Sequence, residues 1–330
     1  MTGLLLVAGF AVVLLGATLF TNAVEWLGHR LDLGTGAVGS VLAAVATALP
    51  ESFIPVVAIV GGEEGSTDVA IGAIVGAPFM LATVALALVG LAALGFEKRR
   101  EQGRELRVHA PTLKRDLVAF LALLGIAIVL GLGAPLAIRA PAAVVLVLAY
   151  AGYVFVTVQR GGEVQHEESL EPLTFDPTRN DPPSNFLIGL QLLVGLGAII
   201  GGAHFFVEGL LATAEAFGVE PLVLSLLLAP LATELPEKAN SFIWVRQGKD
   251  ALALGNITGA MVFQSTIPVA VGLAFTAWQL DGPALLAAAL ALVGGAVALW
   301  TLHVRRRFSV PAIALWAALF GIFALALTAT

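Results

Sequence analysis

Cysteine is absent from the chain, which excludes disulfides, thiolate metal sites and thiol nucleophiles. Charge is scarce as well: 12% of the 330 residues are charged, against about 25% in soluble domains. Neither HExxH nor GxSxG occurs, so a zinc-protease helix and a hydrolase nucleophile elbow are both excluded, and no enzymatic activity is expected. The N-terminal MTGLLLVAGF lacks the basic n-region of a cleaved signal peptide and reads as the start of a first span. What the chain has in quantity is apolar sequence, 58% of all residues. Apolar runs of the length that crosses a bilayer, about 18 residues or more, recur from end to end.

The pattern predicts an all-α polytopic membrane protein with ten spans. They fall near 3–28, 36–60, 67–96, 116–134, 138–159, 186–215, 219–245, 251–278, 283–303 and 308–328. A Pro-, Asp- and Glu-rich stretch over 160–185 divides them five and five, and its composition reads as a solvated cytoplasmic linker. Its acids, such as Glu163, Glu167 and Asp176, read as a solvated charge run rather than as a regulatory site. Basic residues cluster in alternate loops: Lys98, Arg99, Arg100, Arg104, Arg107, Lys114 and Arg115, then Arg246 and Lys249, then Arg305, Arg306 and Arg307. The loop with Glu63, Glu64 and Asp68 has no base. The positive-inside rule then puts both termini outside, in a plasma membrane, and makes the two halves begin on opposite sides.

Those halves, 1–159 and 186–330, resemble each other. At an offset of 186 residues Gly16 and Phe20 fall on Gly202 and Phe206, and Thr47, Leu49, Pro50 and Glu51 fall on Thr233, Leu235, Pro236 and Glu237. At an offset of 183, GAIVGA (72–77) falls on GNITGA (255–260), and Thr83 on Thr266. The repeats over 43–83 and 229–266 are expected to be inverted in the membrane, as in alternating-access transporters with a midplane site. Gly72 and Gly76, like Gly255 and Gly259, have the spacing of close helix packing.

ATALPESF and ATELPEKA put proline and glutamate into the middle of apolar spans. A proline removes the N–H that would bond the carbonyl four residues earlier. In hydrocarbon, a freed carbonyl persists only where something satisfies it. Thr47 and Glu51 share a helix face, as do Thr233 and Glu237. Each motif therefore offers a carboxylate, a hydroxyl and loosened carbonyls at one point of an interrupted helix. Two such sets suit a hard cation such as Ca²⁺, which takes about 6–8 oxygens. A carboxylate at the bilayer centre costs on the order of 2.5–3.5 kcal/mol, so the symmetric pair argues for function.

With these motifs the chain resembles the cation/Ca²⁺ antiporter superfamily, which includes the sodium/calcium exchangers. ATALPES and ATELPEK are similar to the family's G-T-S-x-P-E motif, and GAIVGA and GNITGA to its G-N-x-x-G-S-N motif. The resemblance implies a secondary antiporter in which Glu51 and Glu237 bind Ca²⁺ and Na⁺ competitively, while Thr47 and Thr233 supply carbonyl oxygens. It implies no resident cofactor, only transported Ca²⁺, Na⁺ or H⁺. Partners are inorganic cations and the lipid bilayer, with no nucleic acid, and a monomer or weak homo-oligomer. A Na⁺/H⁺ antiporter without Ca²⁺ transport is the rival, and a cation channel the more distant one.

The chain departs from the family pattern in instructive places. The serine after the threonine is Ala48 in one half and Glu234 in the other, and the serine after the second glycine is Ala77 and Ala260. The Asn or Asp five residues past that glycine is Leu81 and Gln264. The first half has lost side-chain oxygens. Glu234 and Gln264 then leave room for one or two monovalent ions in the second half. Less Na⁺ dependence is expected, with protons carried by Glu51, Glu237 or Glu234 instead. Elsewhere, His204 and Glu208 are four apart and read as a buried hydrogen bond, with Asn22 as the repeat mate of Glu208.

Overall fold

The structure, a computed structural model, describes residues 2–30, 51–101, 103, 105, 108, 110–160, 170–176 and 182–327. Within these ranges the side chains of Thr2, Val158, Arg160, Ala232, Leu235, Pro236, Glu237 and Asn240 are not described. The described chain is helical: α1 (Thr2–Arg30), α2 (Glu51–Gly61), α3 (Ser66–Gly95), α4 (Ala110–Gly131), α5 (Leu136–Arg160), α6 (Asn185–Phe217), α7 (Pro221–Arg246), α8 (Asp250–Phe275), α9 (Gly282–Val304) and α10 (Val310–Leu327). Seven of these are long and apolar enough to cross a membrane: α1, α3, α5, α6, α8, α9 and α10.

Local chemistry sets the helix ends. At the start of α6 the Ser184 hydroxyl accepts from the Leu187 N–H at 3.3 Å. At its end Gly218 takes φ 64°, a left-handed conformation open to glycine, and Val219 N–H closes back on Ala214 O at 2.9 Å. α3 is buried through most of its length and packs on α7, where Gly72 lets the backbone of Leu222 approach. At Gly255 and Gly259 an added Cβ would meet nothing within 4 Å among the described residues, so the close packing their spacing suggests is not seen there.

α1 and α6 run antiparallel along a seam of glycines. A Cβ on Gly16 would stand 2.8 Å from Ile199 N, and one on Gly202 would stand 2.8 Å from Val13 N. Under the offset of 186 residues these are the same contact seen from its two sides. The Thr83 hydroxyl donates to Phe79 O at 2.6 Å and the Thr266 hydroxyl to Val262 O at 2.9 Å, again at equivalent positions. Both helices also lose regular geometry there. α3 makes a π turn over Leu81–Ala85, and α8 breaks at Ser265 and Thr266 before resuming at Ile267. Such irregularities are frequent at functional sites.

The interruption expected at Pro236 is not a break: α7 is helical without a gap from Pro221 to Arg246. A single proline inside a helix removes one hydrogen bond, which packing on either side can absorb. The 160–185 linker differs from expectation too. Its stretch 170–176 is docked where α1 ends and α6 begins, with Glu171, Pro172 and Thr174 still exposed. Asn22 and Trp26 donate to Glu171 O at 3.3 and 2.9 Å, Thr174 N–H donates to Asn22 Oδ1 at 3.2 Å, and Phe175 N–H donates to Gln191 Oε1 at 2.8 Å. Leu173 and Asp176 are buried. Glu163 and Glu167 lie outside the described residues.

Basic connections gather at that same end. Arg100, buried, bonds Val245 O and the Asp250 carboxylate at 3.0 and 2.8 Å, tying the end of α3 to the α7–α8 turn. Arg30 reaches Pro183 O at 2.7 Å. The opposite end is acidic.

Candidate cation site

α7 carries its charges at mid-length. Glu234 is fully buried and Lys238, one turn on, is 7% exposed, with Lys238 Nζ 2.6 Å from Glu234 Oε2. The other Glu234 oxygen accepts from Gln264 Nε2 at 3.0 Å. Gln264 is itself fully buried, where α8 breaks. The same amide nitrogen donates to Glu51 Oε2, on the first turn of α2. A side-chain amide has two N–H bonds, so one goes to each carboxylate. The result is a continuous polar chain, Glu51–Gln264–Glu234–Lys238, that crosses from the first half of the sequence to the second.

Glu51 lies ten residues along α2 from Gly61, a rise of about 15 Å, or half a hydrocarbon core of about 30 Å. Two buried oxygens, Gln264 Oε1 within this chain and Ser52 Oγ on the residue after Glu51, have no hydrogen-bond partner among the described residues. Buried polar atoms ordinarily have partners. An oxygen beside two carboxylates that lacks a donor is a ready cation ligand.

The sequence-predicted residues fall as follows. Glu51, Glu234 and Gln264 meet. Glu234 faces the centre, not the far side of its helix. Thr233 is buried on the same turn, but its hydroxyl donates to Ala229 O at 3.2 Å and so closes on its own helix. Glu237 is in α7, three residues past Glu234; its side chain lies outside the described residues, as does Thr47 altogether. Lys238 was missed. Its signal was present in ATELPEKA, an acid and a base at i and i+4 inside an apolar stretch. Asp116 was missed also: buried, it accepts from Tyr153 and Thr258 at 3.0 Å each and from Arg115 at 3.0 Å, joining α4, α5 and α8 beneath GNITGA.

At the acidic end a wide-mouthed cup of about 850 Å³ is lined by Glu63, Glu64, Asp68, Glu208, Glu215 and Glu220. A narrower groove shares Glu63 and Glu208 with it and reaches as far as Val57 and Ala58 of α2. His204 and Glu208 are not the buried pair expected of them. Both are exposed and line this groove. Asn22 holds the linker and is no partner in a relay.

The family profile described as "Sodium/calcium exchanger protein" matches residues 1–159 and 187–329. The chain belongs to the sodium/calcium exchanger family. Among curated relatives, the putative antiporter CaxA of Alkalimonas amylolytica is 26% identical over 296 residues, 86% of either chain. The inner membrane protein YrbG of Escherichia coli K12 is 26% identical over 281 residues, 84% of this chain and 81% of that one. The sodium/calcium exchanger MaX1 of Methanosarcina acetivorans is 35% identical over 71 residues, 22% of this chain and 20% of that one. Among solved structures, the H⁺/Ca²⁺ exchanger CAX superposes with a TM-score of 0.75 at 20% identity, over 99% of this chain and 82% of that one. The sodium–calcium exchanger NCX_Mj gives 0.60 at 20% identity over 99% of both. These likenesses establish the exchanger fold and membership of a membrane antiporter family.

Proposed function

We propose that the protein is a secondary cation antiporter that exchanges Ca²⁺ for Na⁺ or H⁺ by alternating access, at a midplane site built around Glu51 and Glu237. The observation that carries this is the convergence of Glu51, from one half, with Gln264 and Glu234, from the other, in a buried place about 15 Å below an acidic cup. The acids of the cup raise the local cation concentration. The groove beside α2 starts from the cup and ends at Val57, so the passage on to Glu51 is what the alternating-access step has to open. Neutral oxygens at Gln264 and Ser52 serve as further ligands in this reading, with the carbonyl oxygen of Thr233 one that the family resemblance adds.

Coupling follows from charge. A doubly negative site is costly to carry across hydrocarbon, so the site changes sides loaded with one divalent ion or its monovalent equivalents. In this reading the ten helices are two inverted five-helix repeats over 1–159 and 186–330, with 160–185 between them. The reciprocal α1–α6 contacts and the paired irregularities of α3 and α8 support it. The basic end faces the cytoplasm and the termini face outward, in the plasma membrane.

The test is ⁴⁵Ca²⁺ uptake into proteoliposomes, with outward Na⁺ and H⁺ gradients imposed one at a time. Uptake that needs a counter-gradient, and that falls at least about 100-fold in Glu51→Gln, a loss of some 2.7 kcal/mol, is expected. Uptake without a counter-ion would make the protein a channel. Na⁺/H⁺ exchange with no Ca²⁺ flux would make it the monovalent antiporter instead.

A further inference from the structure

That reading uses Glu51, Glu237 and neutral oxygens; it gives no task to the Glu234–Lys238 pair. Yet the pair lies inside the site. Lys238 Nζ is 2.6 Å from Glu234, whose other oxygen takes an N–H of Gln264, whose second N–H goes to Glu51. The side chains are 7% and 0% exposed. We propose that Lys238 is a tethered cation: its ammonium stands where a monovalent ion would otherwise sit on the second-half side, and it sets how many ions the site holds. The inference rests on the cation-exchange reading.

The argument is one of charge and place. Glu51, Glu234 and Glu237 are three carboxylates, and the Lys238 ammonium leaves two negative charges. That matches one divalent or two monovalent ions. Without the ammonium, Glu234 would demand a further cation, because a buried carboxylate among carboxylates does not stay uncompensated. A lysine ammonium is a compact point charge with three donors on a flexible stem, the nearest side-chain equivalent of a bound monovalent ion. Spacing favours the arrangement, since a glutamate four residues before a lysine is the better helical order. The pair is also absent as a unit from the other half. Glu234, Lys238 and Gln264 correspond to Ala48, Ser52 and Leu81, so the shared scaffold of the repeats does not require it.

The experiment counts ions. Purified protein in detergent is melted over a series of Na⁺ concentrations at constant ionic strength, and separately over a Ca²⁺ series. The slope of stabilisation against the logarithm of ion concentration gives the ions bound. About two Na⁺ are expected for the wild type, about three for Lys238→Gln, about two for the Glu234→Gln/Lys238→Gln double variant and about one for Glu234→Gln, following net site charge. Ca²⁺ affinity should fall at least 10-fold in Glu234→Gln and return in the double variant. If Lys238→Gln does not fold, Glu234→Gln still decides: one ion supports the tethered cation, and two or more overturn it. A pair that only holds α7 in place would lower the melting temperature in both single variants and leave the ion count at the wild-type value, which also overturns it. Wild-type protein that exchanges Ca²⁺ in proteoliposomes while all variants share one ion count sinks this inference alone. Wild-type protein that neither binds nor exchanges cations sinks the antiporter reading with it.

Discussion

The two halves of the molecule share a scaffold and differ at the point where they meet. Gly16 and Gly202 make reciprocal contacts, and Thr83 and Thr266 make the same hydrogen bond one turn back. At the centre the likeness ends. Leu81 is buried in the apolar core at the π turn of α3, while its counterpart Gln264 holds two carboxylates together. Ser52 has a hydroxyl without a partner among the described residues, while its counterpart Lys238 has an ion pair. A repeat built from two copies keeps what packing needs in both and places charge chemistry in one. The asymmetry means that ions are expected to sit toward the second half, with the first contributing chiefly Glu51.

The sharpest break of this comparison is to strand the lysine. Glu234→Leu leaves a buried ammonium without its carboxylate, in a place where the first half tolerates Ala48. A loss of about 3–5 kcal/mol is expected, because removing one partner of a buried pair leaves an uncompensated charge. Thermal unfolding in detergent measures it. Replacing both residues, Glu234→Leu with Lys238→Met, should recover most of the loss, since an apolar pair of similar volume removes the stranded charge. A second half that absorbs Glu234→Leu without cost would mean that Lys238 has another partner.

A smaller effect tests the scaffold. Gly16→Ala and Gly202→Ala each push a methyl to within 2.8 Å of opposing backbone. Overpacking of this kind costs about 1–3 kcal/mol. Because the two contacts are reciprocal, the two losses should agree within about 0.5 kcal/mol, and the double variant should be less than additive, since one seam serves both. Unequal losses in thermal unfolding would show that the halves do not bear on each other equally. Smaller still are Thr83→Val and Thr266→Val. Each removes one intrahelical hydrogen bond, worth about 0.5–1.5 kcal/mol. Thr266 also donates to Phe263 O at the break in α8, so its loss should be the larger of the two.

Much of this was legible in the sequence, and the reasons differ by element. Long apolar runs in a chain with 12% charge read directly as helices in a bilayer, because hydrocarbon leaves few other ways to bond the backbone. Glu51 and Gln264 were legible because a polar residue at a repeat position in an apolar span has few bland explanations. Lys238 was not, because the Pro-Glu motif drew the eye to Glu237. The i and i+4 pairing of Glu234 with Lys238 shows only when the helix is taken to run on through Pro236, as it does. The docking of 170–176 was hidden for a different reason. Its composition is that of a linker, and what holds it is main-chain bonding to Asn22, Trp26 and Gln191, with Leu173 the one buried apolar side chain it adds. The exposure of His204 and Glu208 depends on the groove beside α2, a tertiary feature that helical spacing does not encode.

The least disruptive change is the most pointed test of the difference between the halves. Ser52 occupies the repeat position of Lys238, and its buried hydroxyl finds no hydrogen-bond partner among the described residues. Removing an unsatisfied buried hydroxyl relieves a desolvation penalty instead of breaking a bond, so Ser52→Ala should leave stability unchanged or raise it by up to about 1 kcal/mol when no cation is bound. The sign should change once ions are present. If Ser52 Oγ lies in the shell of the bound cation, Ser52→Ala removes one oxygen from an ion that takes about 6–8. The melting-temperature rise given by saturating Ca²⁺ should then be smaller in Ser52→Ala than in the wild type, with Ca²⁺ affinity down about 3- to 10-fold, or some 0.7–1.4 kcal/mol. Two titrations of melting temperature against Ca²⁺ read both effects. An equal Ca²⁺ shift in the two proteins would remove Ser52 from the shell and leave Glu51 as the part of the first half that touches the ion.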